Sequence, residues 1–100
     1  MHTILRIYTG MPGVGPRFAA KREALEKTMR AVPGFAGYRL LATDDGIASV
    51  TICETKEGCD ESVRVAAAWI RENLPDVTPK APQIVVGESL ISFGANRPPK

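Results

Sequence analysis

The chain is poor in the residues that most often carry chemistry. Among 100 residues there is one histidine, His2, and there are two cysteines, Cys53 and Cys59. With a single histidine, no Ser-His-Asp or metal-ligand constellation is visible, and no paired carboxylates stand out either. The cysteines are six positions apart, which is not the spacing of a CxxC pair, and no histidine is near them, so a zinc site is not expected. They read as free thiols of a chain working in a reducing, cytoplasmic setting. Charge of one sign is never concentrated: 13 basic and 11 acidic residues are interspersed for a net charge of +2. That gives no footprint for nucleic acid or for a membrane surface. No segment approaches the roughly 20 apolar residues of a membrane span. The start, MHTILRIYTG, lacks the basic flank and the longer apolar run of a signal peptide. Aromatics make up only 6% of the chain, and Trp69 is the sole tryptophan.

What is present describes a fold. Residues 3–9 carry Ile4, Leu5, Ile7 and Tyr8, types that favour a strand. A helix is expected from Pro16 to Ala31, with Phe18, Leu25, Met29 and Val32 as its apolar stripe and Pro33-Gly34 as its stop. GFAGYRLLAT and GIASVTICE then form a hairpin, with Asp45-Gly46 as a turn that uses the positive φ open to glycine. A second helix is expected from Gly58 to Leu74, with Val63, Ala66, Ala67, Ile70 and Leu74 facing inward. QIVVGESLISF is the last expected strand. The order is β-α-β-β-α-β, which predicts an α+β, ferredoxin-like fold: a four-stranded antiparallel sheet with two helices on one face. Residues 1–94 form a single domain, and 95–100 are expected to be a flexible tail.

Between the first strand and the first helix lies TGMPGVGPR, with three glycines in six positions. A dinucleotide loop needs G-x-G-x-x-G, and Phe18 stands where the third glycine belongs. Gly10 and Gly15 have the separation of a P-loop, but Pro16-Arg17 follows in place of Gly-Lys-Ser/Thr, and proline removes a donor that phosphate would use. The stretch reads as a bend into a helix, at the end of the sheet where a cavity lip would lie.

The strands are apolar on both faces. Leu5 and Ile7 oppose Ile4 and Tyr8; Phe35 and Leu41 oppose Tyr38 and Leu40; Ile84, Val86 and Leu90 oppose Val85, Ile91 and Phe93. One face is for the helices, and the other needs a cover, most simply a second copy in a two-fold homodimer.

The Pro-Gly-Phe-x-Gly-Tyr start of the second strand, the Asp-Gly hairpin and the Ser-x-x-x-Ala-Ala-x-Trp helix together resemble the antibiotic-biosynthesis-monooxygenase-type domain, over about residues 3–93. The resemblance implies a dimeric α+β barrel with sheets packed face to face and a cavity between each sheet and its helices. Proteins of this fold include cofactor-free oxygenases of aromatic polyketides, haem degraders and isomerases. The haem degraders use an asparagine on the first strand, a tryptophan on the second helix and a histidine beyond it. Trp69 matches the tryptophan, but the first strand has no asparagine and no histidine follows the second helix.

Five residues are candidates for a ligand site, and a sixth, Arg22, is weighed beside them. Trp69 and Asn73, one turn apart, suit an aromatic wall with an amide anchor, or else a core tryptophan and a solvated asparagine. Arg6, in mid-strand, is a cationic handle for an acidic or phenolate ligand or a structural ion pair in the dimer interface, with Glu54 and Glu88 as expected cross-strand partners. Tyr8 and Tyr38 are hydroxyl donors or core aromatics. Arg22 interrupts the first helix's stripe and either points into a cavity or lays its stem over the core. No residue is assigned a catalytic role, and neither cofactor nor metal is expected. The reading is a homodimer that binds a small, partly aromatic metabolite and works as a cofactor-independent monooxygenase. The alternative is a non-catalytic ligand-binding or structural module of the same fold.

Overall fold

A computed structural model describes residues 1–94. The elements are β1 (His2–Tyr8), α1 (Gly15–Ala19), α2 (Arg22–Arg30), β2 (Phe35–Thr43), β3 (Gly46–Cys53), α3 (Lys56–Asn73) and β4 (Gln83–Glu88). The sheet order is β2-β3-β1-β4 and every neighbouring pair is antiparallel. This is the ferredoxin-like arrangement that the element order predicts. The expected tail, 95–100, lies outside the described residues.

Alternation along the strands allocates the two faces. In β1, Ile4, Arg6 and Tyr8 are buried, while Leu5 and Ile7 between them are exposed. In β3, Ile47, Ser49, Thr51 and Cys53 are buried and the residues between them are not. The core therefore lies between these rows and the helices. It is built from Ile4, Ile47, Phe18, Met29, Trp69 and Leu74, among others. No helix among the described residues is long and apolar enough to cross a membrane.

The structure corrects several local expectations. The first helix is two: the chain leaves helical dihedrals at Lys21 (φ −112°, ψ 28°), and α2 starts afresh. The Ala20 N–H closes α1 on the Pro16 and Phe18 carbonyls. The second helix starts two residues before Gly58, because the Thr55 hydroxyl accepts from the Gly58 N–H at 3.1 Å and caps it. In the hairpin, Thr43 pairs with Gly46, so the turn residues are Asp44 and Asp45, and Gly46 does not have positive φ. Glycine is needed at 46 for close approach, since a Cβ there would run into the Tyr8 carbonyl oxygen.

Phe35 also changes face. β2 carries a bulge between Phe35 and Gly37, so Phe35 pairs with Cys53 and Gly37 with Ile52. The extra residue turns Phe35 toward the helices instead of leaving it with Leu41. Finally, β4 ends at Glu88; Leu90, Ile91 and Phe93 continue beyond the sheet and are 83%, 83% and 91% exposed.

The glycine-rich stretch is a bend, with Gly10 and Gly13 at φ +77° and +76°, conformations that favour glycine. It delivers Pro16 into the first turn of α1. Arg17 then ties α1 to the segment after α3, its Nη1 and Nη2 donating to Asp76 Oδ2 and Oδ1 at 2.7 and 2.8 Å. The Arg17 hydrogen bonds hold the Asp76 carboxyl below its usual range. A depressed folded-state value adds stability above the unfolded carboxylate pKa, and that stability is lost as the pH falls through the folded value. Wild type should therefore exceed Asp76→Asn in urea resistance at pH 7, by a small margin because the pair is exposed, and the margin should close toward pH 3. A margin unchanged at pH 3 would show that the carboxylate's charge is not responsible.

Candidate functional site

Two clefts flank α2. The larger, about 800 Å³, lies between α1, α2 and the outer strand β2. Its walls are Phe18, Leu25, Met29, Phe35, Tyr38 and Leu40. The helix break at Ala20–Lys21 lets Phe18 of α1 and Leu25 and Met29 of α2 share this one space, and the bulge adds Phe35. Gly15 and Pro16 reach its edge, so the end of the glycine-rich bend forms a lip. Arg22 is at the rim too, its side chain 81% exposed and its Nη2 3.7 Å from Glu26. It neither points into the cavity nor lays its stem over the core, because most of the side chain is in water.

The second cleft, about 600 Å³, lies between α2 and α3 and includes Trp69 and Asn73. Trp69 is only 3% exposed, and its ring packs on Phe18 with centroids 5.7 Å apart at 32°. The Asn73 amide donates to the Trp69 carbonyl at 3.0 Å, so one of its polar groups serves its own helix. These two residues share a groove as the spacing predicts, but the groove is not the one that Tyr38 lines. Trp69 reaches the larger cleft only through Phe18.

Arg6, Tyr8 and Tyr38 do come together. Arg6 is 1% exposed, and its Nη1 donates to the Tyr8 hydroxyl at 3.3 Å. Neither expected carboxylate reaches it. Glu88 is opposite His2, Glu54 lies beyond the end of β3, and Arg6 itself is flanked by Ser49 and Ile84. Because Arg6 faces the helices, it cannot be an ion pair on the outward face. Burial pushes the Tyr38 phenol up, and the neighbouring Arg6 charge pulls against that rise. Tyr38 thus belongs to both places: it lines the cleft and stands beside the guanidinium.

Two members of this cluster were not picked out from the sequence. Ser49 Oγ and Thr51 Oγ1 are buried on the same side with no hydrogen-bond partner among the described residues, and Arg6 Nε is likewise unpartnered. The signal was there: in GIASVTIC, the polar pair alternates in phase with inward-facing Ile47 and Cys53.

Among the described residues, no group of three or more His, Cys, Asp and Glu side chains could hold a metal ion. Cys53 and Cys59 are free and fully buried. Burial, together with the neighbouring Cys59, pushes the Cys53 thiol up to about 11. A protonated, enclosed thiol is a poor nucleophile. Neither cysteine should react with Ellman's reagent in the native protein, and both should react in urea; prompt native labelling would refute their enclosure.

No protein-family model matches the sequence, and no curated protein matches it. Solved structures do. The haem degrader MhuD from Mycobacterium tuberculosis, with two haems bound in its active site, superposes with a TM-score of 0.68 at 17% identity, covering 94% of this chain and 100% of that one. SnoaB, a cofactor-independent oxygenase from Streptomyces nogalater, gives 0.64 at 10% identity, over 94% and 97%. A Streptomyces coelicolor monooxygenase in complex with nanaomycin D gives 0.62 at 16% identity, over 95% and 91%. Identities this low speak for the backbone and not for the side chains. The chain has the fold of the antibiotic biosynthesis monooxygenase domain, as its β2, hairpin and α3 motifs indicate.

Proposed function

We propose that the protein binds a small, partly aromatic metabolite in the 800 Å³ cleft and oxidises it with O₂ without a cofactor. The observation that carries this reading is the cleft itself: a space large enough for a drug-sized molecule, walled by apolar side chains, with the Tyr38 phenol on its floor and a buried cation behind it. Fixed positive charge stabilises an anion that develops on the ligand. In this reading Phe18, backed by Trp69, is the apolar wall, and Tyr38, Arg6 and Tyr8 supply the polar end. Solved neighbours that are named as oxygenases support the reaction class. A second reading, binding without turnover, is favoured by one feature. No histidine lines the cleft, and its one carboxylate, Glu26, is tied to Arg30 at 2.8 Å.

A panel of anthrones and quinols in aerated buffer, with no added metal or flavin, separates the two. Oxidation above the uncatalysed rate, reduced at least tenfold by Leu40→Trp, which fills the cleft, supports the oxygenase. Saturable binding without oxidation supports the module, and neither result sinks both.

The working unit in this proposal is a homodimer in a reducing, cytoplasmic setting, joined through the outward sheet face. Leu5, Ile7, Leu41 and Val85 are 37%, 36%, 50% and 49% exposed on that face, and Leu90, Ile91 and Phe93 project beyond it. A single chain rarely leaves so much contiguous apolar surface to water. Light scattering at micromolar concentration should give about twice the 10.8 kDa chain mass. Ile7→Lys with Leu41→Lys should give the monomer. A monomeric wild type would refute the interface.

A further inference from the structure

We infer that Arg6, with Ser49, Thr51 and the phenols of Tyr8 and Tyr38, forms a buried binding site for a singly charged oxyanion, an ionised carboxyl or phenol. A guanidinium keeps its charge throughout the physiological range. Buried, it must meet an opposite charge or a full set of acceptors, or it costs heavily. Among the described residues Arg6 has no opposite charge and an incomplete set of acceptors. It is 1% exposed, its side-chain hydrogen bonds reach only neutral phenols, Tyr8 at 3.3 Å and Tyr38, and its Nε has no partner. No described carboxylate comes within 4.0 Å to form an ion pair.

The surroundings fit an anion better than a cation or a neutral group. Ser49 is directly across from Arg6 in the β1–β3 ladder, and Thr51 is next along the same inward row. Both hydroxyls are buried, Thr51 with no hydrogen-bond partner among the described residues and Ser49 with at most the neighbouring Tyr38 phenol, so two O–H donors on this row are free to turn to a ligand. Tyr38 is opposite Thr51 on β2, and its phenol is a hydroxyl that can donate. Donors gathered around one uncompensated positive charge are what a carboxylate or phenolate requires.

Two sources share that chemistry: a small free carboxylate, or the ionised group of a molecule lying in the cleft. The second source rests on the cleft reading above, with Tyr38 as the link; the charge requirement does not. The molecule in the cleft would then be an aromatic acid or an acidic phenol, with its ring against Phe18 and its anionic end at Arg6.

Thermal shift and calorimetry at constant ionic strength test this with three probes: acetate, 2-naphthoate and the neutral 2-naphthamide. Wild type should be stabilised by 2-naphthoate, by about 5 °C near saturation, and should bind 2-naphthamide at least tenfold more weakly. Arg6→Met and Arg6→Gln should lose the preference for the anion. If acetate alone gives the shift, the source is a free anion and the site stands. Equal binding of naphthoate and naphthamide, unchanged in Arg6→Met, overturns the anion site and leaves the cleft reading intact. No binding of any probe overturns both. Should neither Arg6 variant fold, Ser49→Ala with Thr51→Val provides the comparison: it should weaken naphthoate at least fivefold and leave naphthamide unchanged, and equal loss for both overturns the site.

Discussion

Trp69→Ala should cost about 3–5 kcal/mol, the range for removing a large aromatic from a core. Against a domain stability of roughly 5–15 kcal/mol, that is a large part of the whole. For a chain of this size, each kcal/mol lowers Tm by roughly 4–8 °C, so the expected drop is roughly 12–40 °C by calorimetry. The reason is position. Trp69 is 3% exposed at the inner face of α3 and stacks on Phe18 of α1, so its loss opens a hole that joins the core to the cleft wall. Trp69→Phe should behave differently. It keeps a ring in place and removes an indole N–H that is buried without a partner among the described residues, so part of its packing loss is offset. A Tm drop under about 5 °C for the alanine variant would show that the tryptophan is not structural, and would return it to the role of a ligand wall.

Gly46→Ala is expected to be the most damaging single methyl in the sheet. Its Cβ would collide with the Tyr8 carbonyl oxygen, and backbone cannot rotate aside as a side chain can. Overpacking typically costs 1–3 kcal/mol, and this site should reach the upper end, about 3 kcal/mol, in urea denaturation. Gly87 is the control. A Cβ there meets nothing within 4 Å, so Gly87→Ala should be neutral or stabilising by about 0.5 kcal/mol, because alanine loses less chain entropy in a strand. Equal effects at the two positions would rule out close approach as the reason for Gly46.

The layout of elements was legible because periodicity is a direct consequence of burial: alternation in ILRIY and spacing of three and four in helix residues such as Leu25 and Met29 each report one buried face. The faces of β1 were readable for the same reason. Phe35 was not, since a bulge changes parity without changing composition. Helix α3 was placed two residues late, at Gly58, because its start was set by the acidic pair Asp60 and Glu61 and not by the Thr55 cap. In the candidate site, Arg6, Tyr8 and Tyr38 stand out in the sequence as unusual residues on readable strands. Their partners were missed because cross-strand register, which puts Ser49 and not Glu88 beside Arg6, depends on turn geometry that composition does not encode. Trp69 and Asn73 were paired correctly by helical spacing, but which cleft they face depends on how α3 is rotated against α2, a tertiary property.

The bulge in β2 has an evolutionary and engineering consequence. A strand register is a counting system in twos, and Ala36 is the odd residue that resets the count between Phe35 and Gly37. Deleting Ala36 would therefore leave Phe35 directly before Gly37, opposite Cys53 and still facing the cleft. Straightening the bulge with Ala36 retained would do the opposite: Ala36 would take the place opposite Cys53 and Phe35 would pass to the outward face with Leu41, opening the binding space and enlarging the surface through which the proposed dimer associates.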